Sequence, residues 1–161
     1  MIYGTACLIH KGTQILLELR LGGLTDIHEG HWVFPGGKTK PGEAGLACVV
    51  RETGEETGLT IKNPQLRATV HFDNKGRILN SKLNPEDWTV EMYETSDFEG
   101  ELKAESPKLV LRWVDESELP NYKMHEGDRR LLQLFKTPGA YRVRTRYDKE
   151  TLTEFEVSEL K

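Results

Sequence analysis

The stretch over residues 43–57 constrains this chain most. Leu46, Val49, Val50 and Thr53 recur there at helical spacing, and Gly58 stands where a left-handed cap often ends a helix. A helix with an apolar side must bury it against another element. The runs on either side supply that element. Residues 2–9 and 14–20 are apolar and β-compatible, separated by His10-Lys11-Gly12-Thr13, which reads as a hairpin turn. A short apolar piece, Trp32-Val33-Phe34, is stopped by Pro35-Gly36-Gly37 after a loop over 21–31. Beyond the helix come strand-like runs at 66–72, 88–94 and 108–114, with a Glu- and Lys-rich loop at 99–108 between the last two. Residues 126–136 predict a second helix with Leu131, Leu132, Leu134 and Phe135 on its apolar side, and residues 141–147 and 152–157 predict a terminal hairpin around Asp148-Lys149-Glu150. Strands interleaved with two helices predict an α+β fold, a mixed β-sheet packed between helices.

Size and charge narrow the class. At 161 residues the chain is expected to form a single domain over 1–161 with a real hydrophobic core. A formal net charge of −4 argues against a binder of nucleic acid polymers, which usually carries a basic face, and implies that an anionic substrate is met through a cation. Cys7 and Cys48 have no neighbour at metal-ligand spacing and read as buried thiols in a reducing compartment. The opening MIYGTACLIHKG has neither a basic start nor a long apolar stretch, and no run reaches membrane-spanning length, so the expectation is a cytoplasmic protein without membrane contact. Neither a monomer nor a homodimer is favoured by these features.

At about 100° per residue, Glu52, Glu55 and Glu56 gather on one side of the first helix, opposite Leu46, Val50 and Thr53. Like charges so close repel and raise one another's pKa unless something compensates them. Arg51 can pair with Glu55 four residues on, and a divalent cation can do the rest. Mg²⁺ suits such a site because it takes hard oxygen ligands, keeps several waters and is commonly shared between carboxylates and substrate phosphates. A Glu-rich helix is ordinarily only a solvated face. The wider pattern separates this one from the ordinary case.

Residues 37–59 read GKTKPGEAGLACVVRETGEETGL, which resembles the signature of the Nudix hydrolase family: Gly, five residues, Glu, seven residues, Arg-Glu-apolar-x-Glu-Glu-x-Gly-apolar. Gly37, Glu43, Arg51, Glu52, Glu55, Glu56, Gly58 and Leu59 match, and Thr53 stands where the family usually has an aliphatic residue. From average residue usage, a chance match is on the order of 10⁻⁸ per start position. The resemblance implies an α/β/α sandwich with this segment as a loop, helix and loop. It further implies that Glu52, Glu55 and Glu56 are the main ligands of Mg²⁺, with Mn²⁺ as a substitute, that the backbone at Gly37 joins them, and that Glu43 holds the loop against the helix through Arg51. Lys38, next to the glycine pair, is placed to touch phosphate.

Outside that segment, residues 26–32, 98–106, 113–120 and 124–128 are similar to the MutT-related enzymes that cleave oxidised purine triphosphates such as 8-oxo-dGTP. By position Glu105 matches a loop carboxylate that in those enzymes reaches the metals and serves as a general base. The same relatives imply a base pocket around Val33, Phe72 and Asp128, with Asp128 reading a purine edge and Phe72 either packing on the ring or simply filling the core. Val33 departs from members that carry a base-reading Asn there, and His125 and Gly127 stand where a Trp and an Asp lie. The expected partner is a small nucleotide, cut to a monophosphate and pyrophosphate. Two alternatives stay open: a hydrolase of ADP-ribose or nucleoside diphosphate sugars, and a nucleotide-binding sensor without catalysis. His10, His28, His31 and His71 show no metal-ligand spacing, and Lys103, Lys108, Arg129 and Arg130 read either as phosphate attractors or as scattered surface charge.

Overall fold

The computed structural model describes residues 1–21, 29–74, 86–160 and, by backbone, 78–79 and 82–83. Its strands are β1 (Ile2–Lys11), β2 (Gln14–Leu19), β3 (Trp32–Val33), β4 (Gly36–Lys38), β5 (Thr60–Lys62), β6 (Gln65–Phe72), β7 (Ile78–Leu79), β8 (Lys82–Leu83), β9 (Trp88–Thr95), β10 (Asp97–Glu99), β11 (Val110–Asp115), β12 (Tyr141–Asp148) and β13 (Thr151–Glu159). Helix α1 (Gly45–Thr57) follows β4, and α2 (Glu126–Leu134) follows a 3₁₀ turn at Glu116–Asn121.

The main sheet runs β11-β2-β1-β9-β6-β12-β13, with β3 added to β2 and β4 to β1. It is mixed: β1 pairs with β9 and β6 with β12 in parallel, while the remaining neighbours are antiparallel. Central β1 has to satisfy both faces of the sheet, which explains its nearly continuous apolar run. Cys7 and Ile9 face α1 and pack with Leu16, Val49, Leu59 and Tyr93. Leu8 faces the other way, with Ile15, Leu17, Val70, Leu131 and Phe135 under α2. The sheet is thus sandwiched between α1 and α2. Toward β12 only one face is covered, and the sequence alternates accordingly: Tyr141, Val143, Thr145 and Tyr147 are buried while Arg142, Arg144 and Arg146 are exposed.

Several expectations needed correction. Helix α1 begins at Gly45 rather than at 43, because the Glu43 carboxylate accepts from the Lys40 N–H (3.0 Å) and from Arg51, which holds Glu43 in the loop ahead of the helix. The packed face of α1 is centred on Val49, with Cys48, Thr53 and Thr57, not on Leu46, which is 53% exposed. Leu46 belongs to the first turn, and the cover that buries Thr57 at the other end of the helix does not reach it. Strands β4, β5 and β10 were not foreseen: each is three residues long, and pairing with distant segments, not local periodicity, makes them strands. Within the loop expected at 21–31, residues 22–28, His28 among them, lie outside the described residues.

Candidate active site

The site grows from the junction of β4 and α1. Gly36 and Gly37 lie tight between β1 and the helix. A Cβ on Gly36 would sit 2.0 Å from the Thr5 carbonyl oxygen and 2.6 Å from the Ala6 Cα, so only glycine lets β4 pair with β1 here. A Cβ on Gly37 would sit 2.3 Å from the Glu52 carboxyl carbon, so this glycine leaves room for a side chain of the helix.

Arg51 organises the outer half of the carboxylate set. Its Nε donates to Glu43 at 2.7 Å and one terminal nitrogen to the second Glu43 oxygen at 2.9 Å, a bidentate pair. The other terminal nitrogen donates to Glu52 at 2.9 Å and to Glu55 at 3.0 Å. A further bond at 3.2 Å reaches the Lys38 carbonyl and ties the loop to the helix. These bonds pull the Glu43 carboxyl down to about 2, and the surrounding carboxylates push the guanidinium well above its ordinary value. Glu55 is 57% exposed, so its pair with Arg51 orients more than it stabilises.

Glu56 does something else. It accepts from the Gly36 N–H at 3.1 Å and stands close to Glu18 of β2. Burial first, and the Glu18 carboxylate second, push its carboxyl up to about 8. The three glutamates therefore do not form one exposed knot: Glu55 is exposed, while Glu52 and Glu56 are half-buried. Among the described residues no three His, Cys, Asp or Glu side chains converge as a ready-made cage for a metal. The donor set nonetheless fits a hard divalent cation, since Mg²⁺ is usually held by one or two carboxylates with water and phosphate oxygens completing its shell. Crowded carboxylates, one of them carrying a proton to about pH 8, are what such a cation would relieve.

On the other side of β4, between the sheet and α2, lies a cavity of about 180 Å³. Its walls are largely apolar, among them Val33, Phe72, Trp88 and Leu131, and its polar residues are Thr5, Arg20, Asn74 and Asp128. Asp128, near the start of α2, has its carboxyl pushed up to about 7 by removal from water. Gly36 and Gly37 line this cavity too. The side chain of Lys38 follows its partner residue Gly4 to the cavity side, where its ammonium lies 5.3 Å from the centre of the Trp88 ring.

Val33, Phe72, Asp128 and Gly37 are thus brought to one cavity, and Glu52 and Glu56 meet the glycine pair that lines it. Glu105 is exposed, in the loop between β10 and β11 and outside the hydrogen-bonded carboxylate set. Of the remaining basic residues, Arg129 donates to the carbonyls of Leu119 and Tyr122, and Arg130 pairs with Glu126 at 3.6 Å. Both have structural partners. His10 and His71 face carboxylates, Glu94 at 2.7 Å and Asp87 at 3.5 Å, and His31 stacks on His125 at 3.9 Å.

Sequence reasoning missed Glu18, Glu91 and Trp88. Glu18 had a visible signal, a charge inside the apolar run QILLEL. Glu91 carried the same signal inside WTVEMY: its carboxylate, from β9, occupies the space a side chain on Gly45 would fill, at the start of α1, where the helix N-terminus favours a negative charge.

Comparison with known proteins agrees with this fold. The NUDIX domain family model matches residues 3–135. A protein of Bacillus subtilis (strain 168), described as an uncharacterized Nudix hydrolase, is 31% identical over 128 residues, covering 80% of this chain and 75% of the relative. The CTP pyrophosphohydrolase of Escherichia coli (strain K12) is 28% identical over 135 residues, covering 84% of this chain and 91% of the relative. Among solved structures, the MutT protein from Bacillus halodurans superposes with a TM-score of 0.80 at 26% identity, covering 98% of each chain. With the signature folded into the loop and helix just described, the chain belongs to the Nudix hydrolases, the family that acts on nucleotide phosphoanhydrides.

Proposed function

We propose that this protein is a nucleoside triphosphate pyrophosphohydrolase dependent on Mg²⁺, with Mn²⁺ as a substitute, and that it acts on 8-oxo-dGTP or a related triphosphate to give the monophosphate and pyrophosphate. One observation carries the reading: Gly36 and Gly37 belong at once to the base-sized cavity and to the carboxylate helix. A nucleotide with its base in the cavity has to leave past those glycines, which sets its phosphates against Glu52, Glu55 and Glu56.

The residues that would hold the cation are Glu52, Glu55 and Glu56, joined by the Gly37 carbonyl and Glu105. When bound, such an ion neutralises charge on phosphoryl oxygens and acidifies a water for attack on phosphorus. Arg51 orients Glu52 and Glu55, and Glu43 fixes Arg51. Lys38 supplies a positive charge between cavity and helix. In the cavity, Phe72 and Val33 exclude water from the base, and Asp128, close to half-protonated at neutral pH, is able both to donate to and to accept from a purine edge.

The experiment is a panel of 8-oxo-dGTP, dGTP, CTP, ADP-ribose and a nucleotide sugar at equal concentration, with pyrophosphate and phosphate release measured for wild type and Glu56→Gln. The reading expects a triphosphate to lead, pyrophosphate as the product, and turnover in the variant reduced about a hundredfold or more. Preference for ADP-ribose or a sugar nucleotide rejects the substrate class. Undiminished Mg²⁺-dependent turnover in the variant rejects the metal role, and tight binding without product points to a sensor. A second reading, CTP as substrate, is favoured by the similarity to the E. coli enzyme.

A further inference from the structure

The closing glycine of the signature does more than end a helix. Gly58 adopts φ 84° and donates its N–H to the Gly54 carbonyl at 3.0 Å. From there the chain enters β5, whose antiparallel partner β10 brings Gly100 back against Gly58. Contact at that point is close. A Cβ on Gly100, at φ 95°, would lie 2.9 Å from the Gly58 carbonyl oxygen, and one on Gly58 would lie 2.7 Å from the Glu101 carbonyl oxygen. Two residues later the Lys103 N–H donates to the Thr57 carbonyl at 2.9 Å, and its ammonium donates to the Glu55 carbonyl.

Lys103 therefore satisfies two carbonyls in the last turn of α1, a turn with no basic residue of its own. These bonds fall on either side of Glu56. The loop is further seated by Leu102, which packs on the α1 side of the core, and Glu105 follows two residues after the clamp.

We propose that Lys103 is a positioning residue for catalysis: by clamping the loop at 100–105 onto the end of α1, it delivers Glu105 to the phosphate-cleaving site beside Glu55 and Glu56. This rests on the reading of Glu105 as a carboxylate of that site. Lys103 is exposed, and its replacement by Ala keeps the backbone bond to Thr57 and the fold while removing the ammonium bond to Glu55 that holds the loop over the end of α1.

The test is a double-mutant cycle on the full chain with Mg²⁺ and the best triphosphate of the panel. Lys103→Ala is expected to lower kcat about 10- to 100-fold, the scale of a misplaced catalytic group, with KM changed less than about threefold, and Lys103→Arg is expected to recover part of the loss. In Glu105→Gln, already slow, adding Lys103→Ala should cost nothing further. Multiplying losses would show that Lys103 acts independently of Glu105 and would overturn the clamp while leaving Glu105 in place. A rise in KM with kcat unchanged would make Lys103 a phosphate contact instead, and also overturns it. Wild-type turnover by Glu105→Gln would remove the reading of Glu105, and the proposal with it, yet leave Glu52, Glu55 and Glu56 untouched.

Discussion

Glu56 ties the chemistry of the site to the stability of the fold, and replacing it by Gln makes the tie measurable. Its carboxyl is raised from an ordinary 4.5 to about 8, by burial first and by Glu18 second. Between those two pH values the folded chain holds a proton that the unfolded chain has released, so stability falls as pH rises through that window and levels off above it. At about 1.4 kcal/mol for each tenfold change in proton affinity, the ceiling on the loss is roughly 5 kcal/mol. Water and side-chain adjustment screen the pair, so the expected effect is roughly 2 kcal/mol. For a chain of this size that is about 4–8 °C in Tm. The assay is thermal unfolding in a chelator at pH 5 and pH 9 for wild type and Glu56→Gln, whose amide imitates the protonated acid. Asp128 is raised to about 7 and titrates in the same direction, but it is common to both proteins and cancels in the difference. Near-equal Tm values at pH 5, with the variant ahead by several degrees at pH 9, are expected. Parallel curves across the range would refute the close pairing of these half-buried carboxyls.

Adjacent glycines should fail differently. Gly36→Ala drives a methyl into the backbone of β1 and should cost about 3 kcal/mol of stability, seen as a lower Tm, whereas Gly37→Ala meets only the end of the flexible Glu52 side chain and should keep Tm while losing about a hundredfold or more in kcat. Thr53 Oγ1 is buried without a partner, so Thr53→Val should raise stability by about 1 kcal/mol in denaturant titrations. Asp128→Leu should lower kcat/KM for the preferred base about 10- to 100-fold, the worth of one hydrogen bond to a charged group, and flatten the ranking among bases.

What could be read in advance, and what could not, divides by the range of the interaction. The pairing of Arg51 with Glu55 is local, fixed by helical spacing, and it is present at 3.0 Å. The places of the long strands along the chain followed from their composition, but their order in the sheet did not. Glu56 was misjudged although helix geometry held the clue: it stands seven residues from Val49, roughly 20° around the axis, and so on the packed face rather than the open one. Drawing that face through Leu46 hid the fact. No spacing rule, by contrast, predicts Glu18 against Glu56, Glu91 in the gap at Gly45, or Lys103 over the last turn of α1. Each comes from a strand or loop that meets the helix only after the sheet has closed. The signature segment thus specifies a helix and its charges. How exposed each charge is depends on residues outside the segment, and that exposure separates Glu55, free to exchange partners, from Glu56, which keeps a proton until a stronger positive charge takes its place. Chains sharing the segment but differing at those outside positions should therefore differ in metal affinity and pH dependence before they differ in the reaction they catalyse.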